Sequence, residues 1–417
     1  MPQCRPTFLW RSALAGSALL LAACAAPMTR MGSVSREEIR MEQLRQQQLV
    51  IRSGIADEQR VATVALPLLR AAVPLCGPSA TGVQRGVQYA NIYSFDKEYR
   101  DAARVMGFTD TLTIVGVVPG SAAARSGVQV GDRITQLGDD PVPTGRTAMR
   151  KFGQRLGKLN RGHDVVALTL RHGPLALAST PGDVSPGEVP LAGDSSARTP
   201  DGAAAVALGD TDTTAQAHAG ATSETVRIPA DTVCNYTVVA ITSSDLNAFS
   251  DGHNVYVTSA MLRFAANDDE LRVVLSHEIA HNAMRHIDAK KKNSLLGGLL
   301  GAVIDVAAAS QGVNTGGEFT RDFADAGAMV FSQDFEREAD YVGLYILARS
   351  NAPFANAPDF WRRMAQATPG SIKFASSHPT TAERFLRLEK TVQEIRDKQA
   401  AGAELLPEMK HQDEAHH

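Results

Sequence analysis

Cysteine is scarce here: the 417 residues hold four, and no two stand as C-x-x-C. A thioredoxin-like redox motif or a zinc ribbon therefore has no support. Charge of one sign is also lacking, with 42 basic against 45 acidic residues and a formal net charge of −3. Nothing in that balance points to nucleic acid as a partner. No apolar run is long enough to span a bilayer. Ala13–Ala23 is too short, and the glycine-rich run Leu295–Ala309 is short and carries Asp305. That second run is expected to form a buried or lid-forming helical hairpin. Residues 174–222 lack aromatics and are rich in Ala, Gly, Ser, Thr, Pro and Asp. Such a composition cannot bury enough apolar surface to offset chain entropy, so this stretch is expected to be disordered. The strand-like Val165–Leu170 precedes it and Thr225–Ile228 follows it, which places it as an insertion in a hairpin.

What is present is more specific. His277-Glu278-Ile279-Ala280-His281 is an H-E-x-x-H run. At 3.6 residues per turn both imidazoles share one helix face and can reach one metal ion. Glu278 is then placed as general base toward a water at that ion. Asn267 and Glu270 read as a capping box that opens the helix. Leu271, Val274, Leu275, Ile279 and Met284 line its buried side. A catalytic zinc takes three protein ligands. A histidine six residues after His281 would be one solution, but Ile287 stands there; His286 reads as exposed, off the metal face. Glu336 and Asp340, four apart on the next strong helix, are the better candidates. Glu336 can close the metal site, and Asp340 can fix the tautomer of a ligand histidine.

The strings H-E-I-A-H, F-E-R-E-A-D and Ser377-His378-Pro379-Thr380-Thr381-Ala382-Glu383-Arg384 follow one another in the chain. In that order they resemble the gluzincin peptidases of the HtpX and CAAX-prenyl-protease type. The nearest likeness is to their soluble periplasmic branch, the BepA and LoiP type, over residues 236–395. The resemblance implies one zinc per chain on His277, His281 and Glu336, with Glu278 as base and Asp340 orienting a ligand histidine. It also implies that His378 lies near the metal, as an oxyanion partner or an inhibitory plug. Asn254–Thr258 alternates as a strand, and the resemblance makes it an edge that pairs with substrate backbone.

Arg5 and Arg11 flank the start of the Ala13–Ala23 run, which ends in Leu21-Ala22-Ala23-Cys24. This resembles a bacterial lipoprotein box: residues 1–23 would be a signal peptide and Cys24 the lipidated N-terminus. The chain would then be held by that lipid to a membrane facing the periplasm, the outer one by analogy. With Cys4 removed and Cys24 acylated, Cys76 and Cys234 remain in an oxidising compartment, where one pairing is possible. A third resemblance lies in Pro119-Gly120-Ser121-Ala122-Ala123 through Ser126-Gly127-Val128 to Gly131-Asp132-Arg133-Ile134, which is similar to a PDZ domain of bacterial proteases. It implies binding of a peptide segment or C-terminus by strand addition.

The expected fold is α+β: a helix-rich gluzincin domain with a small sheet, and an inserted, mostly β PDZ domain. The expected boundaries are 24–75 for a tether and N-terminal helical region, with the helix over 36–53. The PDZ domain follows over 76–234, the peptidase over 235–395 and a polar tail over 396–417. The expected function is a zinc endopeptidase of the bacterial envelope acting on unfolded or unassembled proteins. The alternative is a PDZ-containing assembly chaperone with latent peptidase activity.

Overall fold

The computed structural model describes residues 29, 32–161, 165–173, 175, 223–310, 316–329, 332–367 and 382–410. Cys24, His378 and nearly all of the expected insertion at 174–222 lie outside the described residues. Met1–Gln46 and Gln47–His417 form separate compact units. In the first, the described residues open helix α1 (Arg36–Ala71); everything below concerns the second.

Helix α1 runs well beyond the expected 36–53, through Pro67. Val61, Val64, Ala65 and Leu68 are the reason: spaced i, i+3, i+4, i+7, they form one buried stripe. A short turn then leads to Cys76, which is disulfide-bonded to Cys234 with Cα atoms 6.0 Å apart. Beside that bond, β1 (Thr81–Gln84) pairs with β8 (Asp231–Cys234).

Between the two cysteines lies a sheet in the order β2-β3-β4-β6-β7. Its strands are Val87–Ala90, Thr113–Val117, Arg133–Leu137, Val165–Arg171 and Ser223–Pro229, with β5 (Asp140–Pro141) paired to β4. Strands β6 and β7 are antiparallel from Val165↔Pro229 to Arg171↔Ser223. The chain therefore leaves the sheet after Arg171 and re-enters it at the facing position. Alternation puts Val166, Leu168 and Leu170 on one face with Val226 and Ile228. Helix α2 (Ala148–Leu159) covers that face through Phe152, whose ring meets Tyr89 edge-on at 4.8 Å. Burying Phe152 stabilises by roughly 1.5–3 kcal/mol. Ser121 caps the four-residue helix after it by accepting from Ala124 N. Asp231 ties this sheet to α1, accepting from Arg70, Arg125 and Ala122 N. Burial opposes its charge, but those bonds outweigh burial and hold its carboxyl below the usual range.

The second core is helical around a small sheet in the order β10-β11-β9 (Ala248–Ser250, Asn254–Thr258, Thr237–Ile241). Strand β11 is central, antiparallel to β10 and parallel to β9. The expectation that Asn254–Thr258 is an edge strand is therefore corrected, because both of its hydrogen-bonding sides are used. The outer strand on one side is β10. Asn247 and Asp251 turn their backbone groups toward β11, so by the period of two Ala248 and Ser250 turn theirs away.

Helices α3 (Asp268–Ala283), α6 (Ser332–Arg349), α7 (Ala357–Ala367) and α8 (Ala382–Ala400) pack on this sheet and on the buried stripe of α1. Between α3 and α6 stands a hairpin of α4 (His286–Ser310) and α5 (Glu318–Met329), in which Asp305 accepts from Thr320 N and Oγ1. The run from Leu295 lies on one helix and is not buried. Leu295, Leu296, Leu299, Leu300, Val303 and Val306 are each more than half exposed. No helix among the described residues is long and apolar enough to cross a membrane. Past α8 the chain folds back: Pro407 is buried and Leu406 O accepts from Lys398. The architecture is α+β.

Candidate metal centre

Helix α3 begins at Asn267, whose side chain accepts from Glu270 N at 3.0 Å. Glu270 returns a bond to Ala266 N, one residue before the position a capping box uses. Three acidic residues occupy the first turn, where the helix dipole favours them. Beyond Leu271 the helix is buried almost all round, His277, Glu278 and His281 included, each at 2–3 % exposure.

Helix α6 crosses α3 at His277. Gly343 makes the close approach possible, since a Cβ there would stand 3.2 Å from His277 N and 3.3 Å from its Cα. Asp340 and Glu336 lie one and two turns before that glycine on the same face. The crossing sets three ligand atoms together. The Nε2 atoms of His277 and His281 are 3.2 Å apart, and Glu336 turns its carboxylate toward both, with Oε2 3.4 Å from His277 Nε2 and Oε1 3.4 Å from His281 Nε2. A tetrahedral ion with bonds of about 2.0–2.1 Å spaces its ligands by about 3.3–3.4 Å. The buried His-His-Glu set therefore fits a small tetrahedral cation. Two imidazoles also argue against calcium or magnesium, which take oxygen ligands.

Asp340 completes the first arm of the site. Its Oδ1 is 3.0 Å from His277 Nδ1. Arg384 of α8 holds the same carboxylate from the other side in a fork, Nε to Oδ2 at 2.7 Å and Nη2 to Oδ1 at 2.8 Å. Trp361 of α7 seals the arm, with the guanidinium 4.0 Å above its ring and the His277 ring 5.3 Å away. Burial opposes ionisation of Asp340, but the Arg384 charge and His277 outweigh it and hold the carboxyl low. Burial likewise disfavours a charged His277, yet Asp340 and Glu336 raise its ring to about 9. For His281 burial wins and lowers the ring to about 4. Without metal, His277 therefore carries a second proton near neutral pH, and an ion bound at its Nε2 must displace it.

The second arm corrects an expectation. His286 was read as exposed, but it is 1 % exposed. Its Nδ1 is 2.9 Å from His281 Nδ1 and its Nε2 is 2.8 Å from Glu338. The physical reason is a break in the helix. The H-E-x-x-H helix stops at Ala283, and Arg285 takes a left-handed φ of 59°. His286 therefore starts a new helix and swings back onto His281. Sequence reasoning also missed Arg384 and Trp361. Arg384 closes the third motif string and could have been singled out there; Trp361 carried no signal. Cys76 and Cys234 are bonded, as described above, and His378 and Cys24 lie outside the described residues.

A buried two-histidine, one-carboxylate centre with a glutamate next to its first ligand defines a metallopeptidase-type site, here joined to a PDZ-like sheet. The comparisons with known proteins agree. Residues 211–392 match the model of Peptidase family M48 and residues 113–156 that of a PDZ domain, and the chain carries both domains. Mitochondrial metalloendopeptidase OMA1 of Saccharomyces cerevisiae is 32% identical over 154 residues, which is 34% of this chain and 43% of that protein. The beta-barrel assembly-enhancing protease of Yersinia pestis is 33% identical over 132 residues, 30% of this chain and 27% of that protein. Its Escherichia coli (strain K12) counterpart is 28% identical over 155 residues, 35% and 32% respectively. The chain thus spans less than half the length of these curated relatives.

Proposed function

We propose that the chain is a zinc-dependent endopeptidase of the bacterial envelope that hydrolyses peptide bonds in unfolded or unassembled envelope proteins. The observation that carries this reading is the His277–His281–Glu336 triangle with Glu278 buried beside it. Zinc bound there supplies a Lewis acid that polarises the scissile carbonyl and acidifies water. The protein does the rest. Glu278 takes the proton of the attacking water and hands it to the leaving amine. Asp340 and Arg384 hold the His277 ring in register, so the ligand nitrogen stays aimed at the metal. The substrate backbone adds to β10, through the outward groups of Ala248 and Ser250, and not to β11.

The PDZ domain captures a peptide segment or C-terminus along β2, an outer strand of its sheet. A groove of about 550 Å³ beside β2 is lined by Val87, Gln88 and Tyr89, by Leu156 of α2 and Asn160 just past its end, and by α1. Cys24 carries the lipid that holds the chain at the periplasmic face, on the outer membrane. This envelope setting rests on the lipoprotein-box resemblance and on the relatives named for beta-barrel assembly.

The test is metal content together with turnover of an unstructured protein such as casein. One zinc per chain and chelator-sensitive cleavage support the reading. Zinc without any cleavage would favour the binding-module alternative, and absence of zinc would sink it.

A further inference from the structure

We propose that His286 and Glu338 form a positioning relay that fixes the tautomer and ring orientation of His281. This rests on the reading of His281 as a metal ligand through Nε2.

Hydrogen-bond polarity sets the direction of the relay. Glu338 reaches His286 from α6, with its Oε2 2.8 Å from the ring Nε2. A carboxylate only accepts, so His286 Nε2 must carry the hydrogen. A neutral imidazole with its hydrogen on Nε2 leaves Nδ1 bare. His286 Nδ1 lies 2.9 Å from His281 Nδ1, so His281 must donate from Nδ1. His281 in that tautomer has its lone pair on Nε2, the atom 3.2 Å from His277 Nε2 and 3.4 Å from Glu336. Starting from Glu338 and a neutral His286, each step leaves one choice, and the last is the neutral tautomer that can bind a metal at the centre.

The rings are also held in place. His286 is 1 % exposed and stacks on Phe335, with centroids 4.7 Å apart and planes 20° apart. Phe335 and Glu338 are three residues apart on α6, so one helix face supplies both the stacking surface and the acceptor. Asp340 does for His277 in one step what Glu338 does for His281 in two. One helix, α6, therefore supplies a metal ligand and the terminal acceptor of both histidine arms. The left-handed Arg285 has a purpose in this picture: without that turn His286 would not face His281.

Two variants of the full chain test the relay. His286→Phe keeps a stacked ring and removes both hydrogen bonds. Glu338→Ala removes the acceptor at a position that is 47 % exposed, where the fold does not depend on the side chain. Each is expected to weaken zinc binding by about 10–100-fold, the usual effect of losing an outer-shell partner. The double variant should be no weaker than either single, because the relay acts as a unit. Glu338→Gln retains an acceptor oxygen and should recover most of the affinity. The decisive readout needs no metal: in a His277→Ala background, which removes the proton His277 could donate to His281 Nε2, ¹⁵N spectra of the histidine rings should show His281 protonated on Nδ1 with Glu338 present and mixed in Glu338→Ala. An unchanged His281 tautomer and unchanged zinc affinity in Glu338→Ala would overturn the relay. If the wild-type chain bound no zinc, the metal reading would fall, and the tautomer measurement would still decide the relay. If His286→Phe fails to fold, Glu338→Ala and Glu338→Gln suffice.

Discussion

The two hydrophobic cores of this molecule handle polarity in opposite ways. The core of the β2–β7 sheet is built from apolar side chains, from Ile114 and Ile134 to Leu170 and Phe152. Its buried polar groups, such as Ser121 and Asp132, converge on no common point: Ser121 caps a helix, and Asp132 accepts from Gln129 N and pairs with His172. The helical core buries His277, Glu278, His281, His286, Glu336, Asp340 and Arg384, each at 7 % exposure or less. Replacing a buried ionic network with apolar side chains is often neutral or stabilising. Stability alone therefore does not account for seven such groups, and their convergence on one triangle of ligand atoms marks the site of chemistry. The sheet core makes a scaffold; the helical core accepts a cost in order to aim nitrogens and oxygens.

The sharpest way to break that contrast is Glu278→Gln. It should lower hydrolysis by about 10²–10⁴-fold, the usual worth of a general base. Metal content and unfolding midpoint should stay unchanged, since Glu278 is not one of the three grouped ligand residues and in the proposed mechanism it acts on water. Retained wild-type turnover would show that the buried glutamate has another purpose.

Next comes the covalent link at the base of the sheet. Cys76 and Cys234 are 158 residues apart in sequence. Removing the bond as Cys76→Ser with Cys234→Ser should destabilise by about 3–5 kcal/mol in the loop-entropy account. Denaturant unfolding measures this, and the loss should fall on both cores together, because Cys76 and Cys234 pack in the helical core while flanking the sheet.

A pH series on metal-free chain separates the cores again. His277 is raised from 6.5 to about 9, so its contribution is full below pH 6.5 and is lost as pH climbs through 9. His281 is lowered from 6.5 to about 4, so the fold loses stability as pH drops from 6.5 toward 4. Asp340 is held below 3.8, so its contribution is present above that value and fades as pH falls further. Stability in urea should therefore peak near pH 6.5, and His277→Ala should remove the alkaline limb. A flat profile would contradict the buried network.

The smallest effect is expected from deleting residues 178–222. The chain leaves and re-enters the sheet at the paired Arg171 and Ser223. Closure entropy grows slowly with length, so stability should change by no more than about 2 kcal/mol, toward greater stability. Zinc stoichiometry should not change. Loss of cooperative unfolding would show that the segment takes part in the fold.

Local spacing made much of this legible. H-E-x-x-H and the Glu336–Asp340 pair are each four apart on one helix, so helical period alone places their side chains together. The cap at Asn267 and the alternation in Val165–Leu170 were readable for the same reason. The failures share a different cause. His286 was placed by continuing a helix that in fact breaks at Arg285. Asn254–Thr258 was seen as a strand, but its neighbours β9 and β10 are set by tertiary packing, so its central position was not visible. The exposure of Leu295–Val306 depends on what covers α4, which no local pattern encodes. Arg384 reaches Asp340, and Trp361 reaches Arg384 and the His277 ring, from two further helices, and only the assembled fold brings them there.

Every role proposed for this site depends on the ion itself. Anomalous diffraction at the zinc edge from crystals of the full chain, compared with Glu336→Ala, tests it directly. The prediction is one peak per chain, about 2.0–2.1 Å from His277 Nε2, His281 Nε2 and a Glu336 oxygen, and strongly reduced in the variant. A peak elsewhere, or one undiminished in Glu336→Ala, would contradict it.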